Sequence, residues 1–232
     1  MATVCISGAN RGIGLALTEL YLNKGYLVIA LCRNKSSQLE KLQNENLTII
    51  DQIDITNSQS IDKLKGQLNH CSIDILINNA GKWCNDSLDH FDLEQMLDNF
   101  KINTLGTLQL TYALLPILFN NNHQSKIAVI TSKMGSITDN TSGGRYGYRM
   151  SKAALNAAMK SLSIDLKELS QSKNDAISVG LIHPGWVQTD MGGKNALITP
   201  KISAEGIYQV IENLNLDNSG EFFNYDGSLI PW

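Results

Sequence analysis

Short apolar runs alternate along the chain with longer stretches in which apolar residues recur every three or four positions. The runs Thr3–Ile6, Leu27–Leu31, Thr48–Asp51, Ile73–Ile77, Ile127–Thr131, Ala176–Ile182 and Glu221–Asn224 are mostly continuous, the pattern of strands covered on both faces. Between them lie the helical stretches Ile13–Lys24, Gln38–Asn44, Ser58–Asn69, Leu93–Asn121, Gly147–Ser170 and Ala204–Leu214. Gly25 follows the first as a stop, and Asn57 precedes the third as a start. Strand–helix–strand repetition predicts an α/β fold, a Rossmann-type doubly wound parallel sheet of about seven strands with helices on both faces. Without linker, repeat or low-complexity tract, residues 1–232 read as one domain. Asn120–Asn122 reads as the frayed end of the long helix. The stretch Pro184–Pro200 has no periodicity, carries Gly185, Gly192 and Gly193, and follows the sixth strand at the edge where open sheets bind ligands. It is expected to be a mobile substrate loop over about 184–200.

Composition narrows the class. A chain of 232 residues can bury a large core without disulfide staples. Its 19 basic and 22 acidic residues leave a net charge of −3, which argues against a nucleic-acid partner. Cys5, Cys32, Cys71 and Cys84 have neither CxxC spacing nor nearby histidine pairs, so neither a metal site nor a disulfide framework is expected. The start leaves no room for a signal peptide, and the apolar runs Tyr26–Cys32 and Tyr112–Phe119 are far short of a membrane span. A soluble, cytoplasmic protein without a membrane partner is the expectation.

The first strand opens into Ser7-Gly8-Ala9-Asn10-Arg11-Gly12-Ile13-Gly14 and then a helix. Glycines at such a turn let the backbone approach a pyrophosphate, whose charge the helix N-terminus favours. The spacing GxxxGxG differs from the commoner dinucleotide fingerprint, and a tight structural turn is the alternative. An NAD site usually has an acid at the end of the second strand for the ribose 2′-hydroxyl. Here that region reads Leu31-Cys32-Arg33-Asn34-Lys35, and the first acid is Glu40. Arg33 and Arg11 together suit a 2′-phosphate, which points to NADPH over NADH.

Tyr148 and Lys152, four apart, share one face of a helix. An ammonium beside the phenol would favour phenolate and lower the tyrosine pKa, giving a proton donor for a carbonyl oxygen. A YxxxK pair is by itself common. Ser132 ends an apolar strand at the ligand edge, Asn103 is an odd residue inside the long helix, and Asn78-Asn79-Ala80-Gly81 closes the fourth strand.

The joint set SGANRGIG (Ser7–Gly14), NNAG (Asn78–Gly81), Asn103, Ser132, YRMSK (Tyr148–Lys152) and HPGWVQTDM (His183–Met191) resembles the short-chain dehydrogenase/reductase family over essentially the whole chain. DNTSGGRYGYRMSKAALN (Asp139–Asn156) and the ending YDGSLIPW (Tyr225–Trp232) are similar to its branch of C-factor and sniffer-like carbonyl reductases. The resemblance implies Tyr148 as proton donor, Lys152 as its pKa modifier and holder of the nicotinamide ribose, and Ser132 on the substrate carbonyl. Asn103 would hold a water linking Lys152 to solvent. Gly8, Gly12 and Gly14 would form the phosphate turn, lined by Asn10, Arg11 and Ile13. Asp54, beside Ile55, would meet the adenine, and Asn79, Ala80 and Gly81 the adenosine ribose. Pro184, Gly185, Val187 and Thr189 would border the nicotinamide. Two departures stand out: Ser7 replaces the more usual Thr, and Ser132 and Tyr148 are 16 positions apart, an insertion around Asn140–Arg145.

Beside these motifs, Trp83, Met134, Tyr146, Trp186 and Met191 would face a small-molecule substrate, with Lys133 and Arg145 adding positive charge. That suggests an aldehyde or ketone on an apolar or aromatic body. The resemblance also suggests pairing of the long helices in a homodimer. The alternative function is a C-factor-like signalling protein in which nucleotide binding rather than turnover matters.

Overall fold

The computed structural model describes all residues except 43, 120–123 and 173–175, together with the side chains of 171 and 172. Its strands are β1 (Thr3–Ser7), β2 (Leu27–Leu31), β3 (Leu47–Ile50), β4 (Ile75–Asn78), β5 (Ser125–Ile130), β6 (Ile177–His183) and β7 (Phe222–Asn224). All pair in parallel in the order β3-β2-β1-β4-β5-β6-β7. Every expected strand is present to within two residues. The helices are α1 (Gly12–Asn23), α2 (Ser37–Glu40), α3 (Ser58–Leu68), α4 (Leu93–Phe100), α5 (Thr107–Phe119), α6 (Tyr146–Ser172) and α7 (Pro200–Glu212).

Alternate residues of each strand enter two separate cores. Cys5, Leu76, Ile127, Val129, Val179 and Leu181 face one cluster with residues of α3, α5 and α6. Val4, Ile6, Ile75, Ile77, Ala128 and Ile182 face another with residues of α1 and α7. Burial on both faces is why the strands read as continuous apolar runs rather than alternating ones.

Three helix boundaries differ from the sequence expectation. The long helix Leu93–Asn121 is interrupted: a π-helical turn, Lys101–Gly106, joins α4 to α5. Its cause is Asn103, whose side chain turns inward to bond the backbone of Lys82 instead of solvent. α2 is a single turn, shorter than Gln38–Asn44, and α7 begins earlier than Ala204, with Thr199 capping it and Pro200 opening it. The expected frayed end at Asn120–Asn122 falls outside the described residues. The segment Leu93–Phe119 has the length and hydropathy of a membrane span, yet α5 packs into the core under the sheet, through Leu110, Leu114 and Leu118.

Candidate active site

The chain reverses its direction of winding between β1 and β4, and the crevice beyond their carboxyl ends is where a doubly wound sheet binds ligands. Ser7 staples this crevice: its hydroxyl accepts from the amides of Asn79 (3.0 Å) and Ala80 (3.1 Å). In return the Asn79 amide donates to the carbonyls of Ser7 and Gly8, both at 3.1 Å. Asn79 thus shapes the glycine turn through its side chain. Gly8 and Gly12 take left-handed backbone (φ 66° and 54°), and a Cβ on Gly14 would stand 2.2 Å from the Gly8 carbonyl oxygen. Only glycine lets α1 start this close to the turn.

The α1 start is also electrostatically bare. Ser36, Asn57, Asp92 and Thr199 cap α2, α3, α4 and α7 through their side chains, whereas Arg11 gives α1 no side-chain cap and its first turn has no acid. Open first-turn amides beside glycine-permitted backbone fit the pyrophosphate of a dinucleotide, which would satisfy them. Around them, the Asn10 amide donates to the Asn34 carbonyl (2.9 Å) and Ser36 donates to the Asn10 carbonyl, tying the turn to the end of β2.

The two arginines part company. Arg11 pairs with Asp190 at 2.9 Å, both side chains well exposed, so it reaches towards the 184–200 segment. Arg33 is exposed beyond β2 and acts on Asp54. Partial burial works to raise the Asp54 carboxyl, but the Thr56 amide and hydroxyl, Arg33 and Lys101 together hold it below its ordinary value. Ile55 turns into the core, where a Cβ on Gly106 would lie 2.9 Å from its Cγ1. Only its backbone can face the crevice.

The segment from 184 to 200 is tied by its own hydrogen bonds. Gln188 N donates to the Ile198 carbonyl (2.9 Å), the Trp186 indole to the Gly192 carbonyl (2.8 Å), and Ser203 to the Pro184 carbonyl (2.6 Å). Val187 is buried, and Gly185 (φ 83°) packs under Ile198 and Tyr225. Thr189 leans on Gly12, where a Cβ would meet its Cγ2 at 3.1 Å. The expected substrate loop is therefore a structured wall of the crevice, braced against the glycine turn.

Ser132, Tyr148, Lys152 and Asn103 come together as expected. Tyr148 and Lys152 lie one turn apart near the start of α6, and Ser132 hydrogen-bonds the Tyr148 hydroxyl. Lys152 Nζ donates to the Ile130 carbonyl at 2.9 Å. A point one bond out from Gly81 lies 3.3 Å from Asn103 Oδ1 and 3.8 Å from Lys152 Nζ, so Gly81 leaves the room that both groups use. Asn103 itself accepts from Lys82 N (2.7 Å) and donates to Lys82 O and Ser151 Oγ, both at 2.9 Å.

The electrostatics correct one expectation. Burial pushes Tyr148 up to about 12, and the Ser132 hydrogen bond only partly opposes it, so the lowering expected from Lys152 does not prevail. Burial likewise lowers Lys152 to about 8. Only 7% of Tyr148 is exposed, packed with Cys84, Met96, Trp83 and Met134. At neutral pH Tyr148 therefore carries the proton a donor needs, while burial makes it a weaker acid than a free phenol.

Of the expected substrate residues, Trp83 and Met134 touch this cluster, and the Trp83 ring is 4.7 Å from the Tyr148 ring. Tyr146, Trp186 and Met191 are exposed. Sequence reasoning missed Asp86, which is 1% exposed and whose Oδ2 accepts from Gly147 N (3.0 Å) at the start of α6. It also missed Asn156, which accepts from Thr131 (2.5 Å). Asn156 had a signal, since 148, 152 and 156 share one helix face; Asp86 had none.

The short chain dehydrogenase family model matches residues 2–197. A curated relative, the C-signal of Myxococcus xanthus, is 46% identical over 163 residues, 69% of this chain and 93% of the relative. Among solved structures, the carbonyl reductase Sniffer of D. melanogaster superposes with a TM-score of 0.91 at 36% identity, covering 100% of both chains. The NADPH-bound carbonyl reductase from chicken fatty liver does so with a TM-score of 0.88 at 32% identity, covering 100% of this chain and 99% of the other.

Proposed function

The chain belongs to the short-chain dehydrogenase/reductase family of NAD(P)-dependent oxidoreductases, and from that premise we propose that it reduces aldehydes or ketones to alcohols with NADPH, Tyr148 supplying the proton. The observation that carries this is the meeting of Ser132, Tyr148 and Lys152 at the strand ends, beside the uncapped start of α1. A bound nicotinamide supplies the hydride; everything else falls to the chain. Ser132 holds the substrate oxygen, and Tyr148, neutral in its buried setting, gives that oxygen a proton. Lys152 places positive charge behind the phenol and holds the cofactor ribose. Gly8, Asn10, Arg11, Gly12, Ile13 and Gly14 line the phosphate turn. Ala80 and Gly81 leave space for the ribose, and Pro184, Gly185, Val187 and Thr189 wall the nicotinamide end.

Several observations support the finer points. Arg33 is exposed just beyond β2, with no acid in its place at the end of that strand, which favours a 2′-phosphate. Leu97, Phe100, Leu105 and Tyr112 on the α4–α5 arm and Met150 and Ile164 on α6 are exposed, which favours pairing of two copies through these helices. The four cysteines are free, three of them buried, in keeping with a reducing cytoplasm. Identity of 46% to C-signal favours a second reading, a signalling role resting on nucleotide binding alone. That role makes no use of a buried, proton-loaded Tyr148.

Fluorescence titration with NADPH and NADH tests the cofactor assignment. The wild type is expected to bind NADPH tighter. Arg33→Asp should lower the NADPH-to-NADH affinity ratio by at least about tenfold, the scale of one charge-assisted phosphate contact turned repulsive. An unchanged ratio would remove Arg33 from the 2′-phosphate site.

A further inference from the structure

The loop between Ser132 and Tyr148 places two cations, Lys133 and Arg145, near the proton donor, and their surroundings differ. Lys133 is neutralised by Asp139 at 3.0 Å. Arg149, a turn further on, is absorbed by the loop itself: its guanidinium donates to Gly144 O (3.1 Å), Met134 O (3.4 Å) and Ser142 Oγ (2.9 Å). Arg145 has only Nη1 on the Asp86 carbonyl, at 3.3 Å. Among the described residues no carboxylate pairs with it. Asp86, whose backbone carbonyl Arg145 touches, directs Oδ2 to the amide of Gly147 at the start of α6, and its Oδ1 is buried without a hydrogen-bond partner.

The backbone holds Arg145 in this place at a cost. Gly143, Gly144 and Arg145 are all left-handed, with φ of 62°, 61° and 55°. Glycine adopts that region freely, whereas a long side chain does so rarely. The conformation is clamped from both sides, by Arg145 N on the Asp86 carbonyl (3.0 Å) and Arg149 N on the Arg145 carbonyl (2.9 Å). The result is a guanidinium set over the Trp83 ring at 5.8 Å, and that ring is 4.7 Å from the ring of Tyr148. A guanidinium on an aromatic face keeps its N–H edge free, the geometry that grips a carboxylate with two parallel bonds.

We infer that the substrates this site prefers are carbonyl compounds bearing a carboxylate, read by Arg145 across the indole of Trp83 from the reacting carbonyl. The inference rests on the proposed reductase activity and adds a substrate class to it. A carbonyl against Ser132 and Tyr148, with its body on Trp83, has its far end at Arg145. One free planar cation suits a carboxylate, whereas a phosphate would call for the second cation that Asp139 has taken.

The test compares 4-carboxybenzaldehyde with benzaldehyde, using NADPH and the full-length protein at low ionic strength. The wild type should favour the carboxylated aldehyde in kcat/KM by about tenfold or more, and the preference should shrink as salt is added. Arg145→Asn tolerates a left-handed backbone, so it removes the charge without forcing the loop. It should lower that selectivity by about 10- to 30-fold, chiefly through KM, and Arg145→Lys should restore part of it. A wild type indifferent to the carboxylate, or a selectivity that survives Arg145→Asn, would overturn the inference. If neither aldehyde is reduced, the reductase assignment fails. Calorimetry of 4-carboxybenzyl alcohol against benzyl alcohol on the NADP+-loaded protein still decides whether Arg145 recognises a carboxylate, with equal affinities counting against it.

Discussion

His183 ends β6 half-buried, with Nδ1 enclosed and lacking a hydrogen-bond partner. Burial above all, helped by Lys133 and opposed by Asp139 and Asp226, lowers its pKa from 6.5 to about 4. The folded protein thus keeps the ring neutral while the unfolded chain protonates it. The contribution to stability is whole above pH 6.5 and is lost as pH falls from there towards 4, reaching about 3 kcal/mol. Thermal melts should therefore show the wild type losing stability over that window and His183→Gln losing less. Parallel curves would place the acid sensitivity elsewhere. The same physics explains what residue patterns conveyed and what they did not. Tyr148 and Lys152 were legible from their spacing, Ser132 from its place at a strand end and Asn103 as a polar residue inside a helix. The direction of the Tyr148 shift was not, because it comes from the enclosure of the ring by Cys84, Met96 and Trp83, remote in sequence.

At the scale of elements, whatever depends on local pattern was legible and whatever depends on a distant partner was not. The seven strands could be read because burial on both faces leaves continuous apolar runs. The π turn between α4 and α5 could not, since it follows from Asn103 bonding Lys82 across the site. Nor could the anchoring of α6 by Asp86, a contact between residues 61 positions apart. α1 shows the opposite case, where glycine spacing alone fixed the geometry. Gly14→Ala would press a methyl within 2.2 Å of the Gly8 carbonyl oxygen, a backbone atom, and 2.5 Å of the Asn79 side-chain amide, which is tied to the Ser7 and Gly8 carbonyls. We expect a loss of about 2 kcal/mol or more, read as a fall in Tm of about 4–8 °C, with weaker cofactor binding. A variant with wild-type Tm and affinity would show that the turn has slack.

Across the whole molecule, one edge of the sheet collects residues from the glycine turn, the end of β4, the π turn, the loop after β5, the start of α6 and the segment after β6. That gathering was legible because the motifs occur in order along one parallel sheet, and strand ends on a parallel sheet all point one way. The substrate end was legible only in outline. Trp83 and Arg145 belong to loops of no fixed pattern, and their stacking beside Tyr148 appears only in three dimensions. The 184–200 segment likewise reads as irregular sequence, yet it is braced on α1 by the Arg11–Asp190 pair and by Thr189 on Gly12. The proposed work of this edge is hydride transfer with Tyr148 as the proton donor. Its most direct test is NADPH oxidation with a reducible aldehyde by the wild type and by Tyr148→Phe, with NADPH affinity measured for both. The variant is expected to bind NADPH within about threefold of the wild type while kcat falls by about a thousandfold or more. Turnover by Tyr148→Phe close to that of the wild type would contradict that role.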